Sequence, residues 1–261
     1  RTFSSAASDV YKRQAVYMPL NISMNVTHLH IEASSYCNAR CPGCPRNAYG
    51  YPLEGFYKEA HFTPARLSEI LEKFPKVQSI LYCGNHGDPM MNPDIVGLCT
   101  NDKHNSIATN GGIGRVDDYK RLADAGTHIT FGIDGLENTN HLYRQGVKWP
   151  NLMKRVETFI SAGGQATWQF IRFQHNMDQV DKAKSLSKKM GFADFFAMDV
   201  GRNNMPAIQP DKSISHWILP PDPDAKPQKF DVDQYLKMRY KPINLNPVSY
   251  THLTLPTRRF V

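Results

Sequence analysis

Cys37, Cys41 and Cys44 lie in the stretch Tyr36-Cys37-Asn38-Ala39-Arg40-Cys41-Pro42-Gly43-Cys44-Pro45. The spacing is C-x3-C-x2-C, and a loop of that length can curl until its sulfurs face one centre. A four-iron cubane cluster is normally held by four thiolates, and this loop offers no fourth. Three leave one iron free for a non-protein ligand, and an open coordination position marks a reactive centre rather than a structural one. The same thiols could instead hold zinc with a histidine such as His28, His30 or His61. Zinc sites usually pair two C-x2-C units or add H-x3-5-H, and here one C-x2-C stands without a second.

The elements around this loop alternate in period. Val26–Glu32 reads as a strand that runs straight into the cysteines, and Thr63-Pro64 as an N-cap and first helical residue before a helix over 65–74. Strands are expected over 79–83, 106–109, 128–133, 166–173 and 193–200. Helices are expected over 93–99, 116–125, 151–162 and 179–190, with Gly126, Gly163 and Gly191 as stops. Such βα units in series predict an α/β fold: a partial (β/α)6 TIM-like barrel with parallel strands, whose strand ends form one functional rim. An open doubly wound sheet is the other arrangement, but no G-x-G-x-x-G follows the first strand. Residues 201–230, rich in proline and polar side chains, read as a linker or irregular segment.

Four further motifs follow predicted strand ends or the segments just after them. Gly84-Asn85-His86-Gly87-Asp88-Pro89 is a glycine-rich turn whose backbone can approach a ligand closely. Thr109-Asn110-Gly111 and Gly132-Ile133-Asp134-Gly135 end the next two strands, and Tyr143-Arg144-Gln145-Gly146 follows. Each alone is also what an ordinary turn or helix cap looks like. His175, His86 and Asn85 are solvated-loop residues or substrate contacts. Cys83 and Cys99 read as small buried apolar residues, with Cys83 alternatively approaching the pocket, and Tyr36 and Arg40 as residues that pack over or hydrogen-bond a cluster held by the loop.

The cysteine loop resembles that of the radical SAM superfamily, although Gly43 stands where many members carry an aromatic residue. The resemblance implies that the amino and carboxylate groups of S-adenosylmethionine (SAM) chelate the free iron. An electron from a 4Fe-4S cluster then breaks a C–S bond, giving a 5′-deoxyadenosyl radical that abstracts hydrogen from substrate. The segment 84–89 is similar to the family's glycine-glycine-glutamate motif, which implies that Gly84, Asn85, Gly87 and Asp88 hold the methionyl amino group. Asn110 and Asp134 match segments near the cofactor, with Gly132 where relatives have serine. Arg144, in a stretch like the family's tyrosine-arginine-x-glycine, is implied to fork onto the methionyl carboxylate. The set spans about 26–200 and is similar to the branch carrying a SPASM or twitch domain, which implies a peptide or protein substrate and an external electron donor such as flavodoxin or ferredoxin. No cysteine follows Cys99, so auxiliary clusters would lie beyond Asn246, with Tyr240-Lys241-Pro242-Ile243-Asn244 as the approach.

Both ends of the chain stand apart. Asp9-Val10-Tyr11-Lys12-Arg13-Gln14 and Val248-Ser249-Tyr250-Thr251-His252-Leu253 are what one DNA string and its reverse complement encode, apart from end bases. They resemble the mosaic end of a transposon-based sequencing adapter, so residues 1–14 and 248–261 are expected to be translated adapter. The core domain is then expected over 15–200, starting naturally at Met18 or Met24, and the beginning of a C-terminal extension over 201–247. Each end contributes +2 to the formal charge of +7, leaving +3, too little to indicate nucleic acid. No apolar run approaches the ~20 residues of a membrane span and no signal peptide is evident. Five cysteines, three in one loop, suit a reducing cytosol in which thiolates hold metal.

Overall fold

The structure, a computed structural model, describes residues 25–53, 59–84, 86–199, 201 and 204–239. The expectations for both chain ends, Asn85 and the segment 240–244 lie outside the described residues. In chain order the strands are β1 (His28–Ile31), β2 (Asn47–Ala48), β3 (Tyr51–Pro52), β4 (Ser79–Tyr82), β5 (His104–Thr109), β6 (His128–Gly132), β7 (Ala166–Ile171), β8 (Asp194–Met198), β9 (Met205–Ile208) and β10 (Ile214–Ile218). The helices are α1 (Pro64–Lys73), α2 (Ile95–Cys99), α3 (Val116–Asp124), α4 (Asn140–Tyr143), α5 (Trp149–Ser161), α6 (Val180–Met190) and α7 (Val232–Arg239).

Six strands form one sheet in the order β1-β4-β5-β6-β7-β8. Every neighbouring pair is parallel. This is the expected α/β architecture, a curved parallel sheet of the partial-barrel kind, and among the described residues it does not close on itself. The period-2 pattern decides which face meets the helices. Ile80 and Tyr82 of β4, Ile107 of β5, Ile129 and Phe131 of β6 and Trp168 and Phe170 of β7 are all fully buried beneath the helices. The opposite phase points to the concave side, where Leu81, Phe196 and Met198 stay exposed.

Helix boundaries follow local chemistry. Thr63 caps α1 by accepting a hydrogen bond from the Arg66 amide at 3.3 Å, with Pro64 in the first turn, and Gly191 closes α6 in a left-handed conformation at φ 88°. The expected helix over 93–99 is found, two residues shorter at its start, as α2, and a 3-10 turn at Pro89–Met91, capped by Asp88, precedes it.

The stretch expected to be a linker is in part regular. β9 and β10 pair antiparallel, and the Ile208 amide donates to the Tyr49 carbonyl at 2.8 Å, joining this hairpin to the one formed by β2 and β3. Tyr235 of α7 stacks on Tyr49 at 4.9 Å. Burial of all four β9 residues against the segment after the cysteine loop overrides the local signal of Pro206. Among the described residues no helix is long and apolar enough to cross a membrane.

Candidate metal centre

The cysteine loop leaves β1 and returns along the rim formed by the carboxyl ends of the strands. Successive turns wind it: the Cys44 amide donates to the Cys41 carbonyl at 2.9 Å and the Asn47 amide to the Cys44 carbonyl at 3.1 Å. Distant segments fix its position. The Asp88 amide donates to the Tyr36 carbonyl at 2.8 Å, and the Arg40 amide to the Gln145 carbonyl at 2.9 Å. Gly146 sits at φ 91°, and a Cβ there would lie 2.7 Å from the Asn38 carbonyl oxygen, so glycine is needed where this segment crosses the loop.

All three thiols line one cavity of about 300 Å³, at the small end of the range of small-molecule sites. Gly84, Gly87, Asp88, Asn110 and Arg144 share its wall, so every described candidate except Asp134 lines the same space. Asp134 stands directly behind Arg144, fully buried, with Oδ2 accepting from Arg144 Nε at 2.6 Å and Oδ1 from the Ile171 amide at 2.7 Å. Arg144 Nη1 reaches Cys41 Sγ at 3.9 Å, and Asn110 Nδ2 reaches Cys37 Sγ at 3.8 Å. Two of the three sulfurs thus carry a nitrogen donor from another strand's loop.

Burial, with Asp88 nearby, pushes the Cys37 thiol up to about 12. Burial likewise raises Cys41 to about 11 against the pull of Arg144. Burial works against the Arg144 charge, but Asp134 and then Cys41 more than offset it and raise its pKa. Such thiols ionise readily only when a metal supplies the compensating charge.

Some motif residues have local duties that the sequence did not reveal. The Asp88 carboxylate accepts from Thr109 Oγ1 at 2.8 and 3.0 Å, from the Asn110 amide at 2.8 Å and from the Met90 amide at 3.0 Å. Burial raises its pKa despite these bonds. Little acceptor capacity remains for an ammonium group, so Asp88 ties two strand ends together. Gly84 and Gly87 are glycines because the loop folds on itself: added Cβ atoms would lie 1.5 Å from the Gly87 carbonyl oxygen and 1.8 Å from that of Ser34. Glu32 completes this loop by accepting from the His86 and Gly87 amides, both at 2.9 Å.

Thr130, Gln169 and Tyr143 also line the cavity and were not assigned to it beforehand, and Cys83 lines it as the alternative reading of that residue allowed. For Thr130 and Gln169 the available signal was a polar residue in the concave phase of a buried strand. Cys83 is half-buried, not a core residue, and its thiol contacts His30 Nε2 at 2.5 Å. Cys99 is buried as expected. Tyr36 stacks on His61 at 4.7 Å, and His175 is not among the cavity-lining residues.

Among the described residues no three His, Cys, Asp or Glu side chains are grouped so that they could hold one metal ion. A cubane distributes its ligands over separate irons, so three thiols set around a cavity suit it. His28 is bonded to Thr27 Oγ1 and His30 to Cys83, while His61 stacks on Tyr36 at the start of the loop; none of the three lines the cavity that holds the thiols.

A family profile described as the radical SAM superfamily matches residues 31–182, more than half of the chain. No curated protein sequence matches. Among solved structures, Streptococcus suis SuiB bound to S-adenosylmethionine is similar at 18% identity and TM-score 0.53, over 74% of this chain and 42% of that one. SuiB bound to its precursor peptide SuiA gives 18% and 0.55 over the same shares, 74% and 42%. His-tagged anSMEcpe with bound AdoMet gives 18% and 0.52, over 66% of this chain and 49% of that one. The chain therefore spans less than half the length of these relatives, and at such identity the likeness is one of fold. With the profile match, the cysteine triplet and the strand-end cavity taken together, the chain belongs to the radical SAM superfamily.

Proposed function

We propose that this chain is the SAM-cleaving core of a radical enzyme acting on a peptide or protein. Cys37, Cys41 and Cys44 would hold a 4Fe-4S cluster and leave one coordination position for SAM. When bound, the cluster supplies one electron that cleaves the sulfonium and yields the 5′-deoxyadenosyl radical. The observation that carries this reading is the placement of all three thiols and the SAM-motif segments around one cavity.

The residues of the chain bind and orient. Gly84 and Gly87 present backbone to the methionyl end, and Asn85 is assigned to that end by the motif alone. Asp88 holds Thr109 and Asn110 in place beside it, through hydrogen bonds of 2.8–3.0 Å. Asp134 holds the Arg144 fork, whose remaining face meets the methionyl carboxylate. The strand-end walls exclude water from a reactive species. SuiB binds a precursor peptide and anSMEcpe structures contain peptides; these likenesses support a peptide substrate here. The electron donor is an external carrier such as flavodoxin or ferredoxin, in the reducing cytosol that free cysteines suit.

Anaerobic reconstitution with iron and sulfide, followed by a dithionite-driven assay, tests this. The expected result is a brown protein that converts SAM to 5′-deoxyadenosine. A colourless protein that binds one zinc and leaves SAM intact would contradict it and favour a zinc-bound interaction module.

A further inference from the structure

Arg144 is anchored at one nitrogen and closely approached at the other two. Nε is tied to the fully buried Asp134, Nη1 faces Cys41 Sγ at 3.9 Å, and Nη2 fills the space a side chain at position 132 would need. A Cβ built on Gly132 would lie 2.4 Å from Nη2. Asp134 is itself immobilised through Oδ1, which accepts from the Ile171 amide at 2.7 Å. The guanidinium therefore stands between a buried carboxylate and one sulfur of the cysteine triplet, with its positive face toward the sulfur. A loose surface ion pair has no such anchorage, and the side chain of Arg144 is only 17% exposed.

We infer that Arg144 is a positioning residue that raises the reduction potential of the metal centre by acting on the Cys41 sulfur, and that Gly132 is glycine in order to admit it. This rests on the cluster proposed above. Reduction adds negative charge to the thiolate-ligated centre. A cationic N–H donor beside one sulfur stabilises the reduced form more than the oxidised one, and cluster potentials follow net charge and hydrogen bonds to sulfur. Low solvent access keeps the interaction from being screened. Asp134 opposes the effect but lies on the far side of the fork from Nη1.

The test is an EPR-monitored redox titration of the full chain, reconstituted anaerobically and without SAM. Three variants separate charge from fold. The double variant Arg144→Gln with Asp134→Asn removes the pair and leaves no lone buried charge. Gly132→Ala keeps every charge but displaces the end of a flexible side chain. Arg144→Lys keeps the charge without the fork. The double variant and Gly132→Ala should both shift to more negative potential, lowering the reduced-to-oxidised ratio at fixed potential about tenfold, or 59 mV for a one-electron couple. Arg144→Lys should fall between them and the parent. Intact clusters with unchanged or more positive potentials would overturn this inference alone. A parent chain that takes up no cluster would overturn it together with the proposed function.

Discussion

Asp88 is 3% exposed, and its two oxygens serve Thr109, the Asn110 amide and the Met90 amide at once. Asp88→Ala strands several buried donors, each costing ~1–3 kcal/mol when left unmade. The variant should lose at least about 2 kcal/mol in a denaturant titration, and SAM affinity measured by calorimetry should fall with it. A loss within experimental error would show that these bonds are replaceable. Replacing Cys37, Cys41 or Cys44 singly by Ala should abolish retention of the cluster, read as iron per chain after desalting. The cysteine triplet stood out in the sequence because its signal lies in local spacing. The duties of Asp88, Glu32 and Gly132 could not, because each depends on a partner from a distant segment: Thr109, Gly87 and Arg144 respectively.

Among the elements, the alternation of strand and helix was legible because the hydrophobic period changes with each, and the strand ends carry the motifs. The β9–β10 hairpin was hidden for the opposite reason. Its sequence looks like a linker, and its burial comes from contact with the Tyr49 backbone. Beside it, burial, with His216 and His141 nearby, pushes His175 from 6.5 down to about 4, and its ring stacks on Phe173 at 5.6 Å. Above 6.5 both folded and unfolded chains hold it neutral. As pH falls toward 4 the unfolded chain takes up the proton first, so stability is lost across that window. His175→Phe should flatten this decline relative to the parent in melts at pH 4 to 7; parallel curves would contradict the assignment. The crossing of Gly146 over the cysteine loop is equally specific. Gly146→Ala meets the Asn38 carbonyl and a left-handed backbone together. The expected result is reduced iron uptake with far-UV circular dichroism unchanged, and full iron uptake would refute it.

Across the whole molecule, parallel strands deliver loops from β1, β4, β5, β6 and β7 to one rim, and the cavity is built from all of them. The central claim is that protein thiols leave one coordination position for a small sulfonium compound. Mössbauer spectroscopy of the chain reconstituted with iron-57 tests it most directly, comparing spectra before and after SAM is added. One iron of the four should change its isomer shift and quadrupole splitting while three remain as they were. Identical spectra with and without saturating SAM would mean that no iron was open, and the account would be wrong.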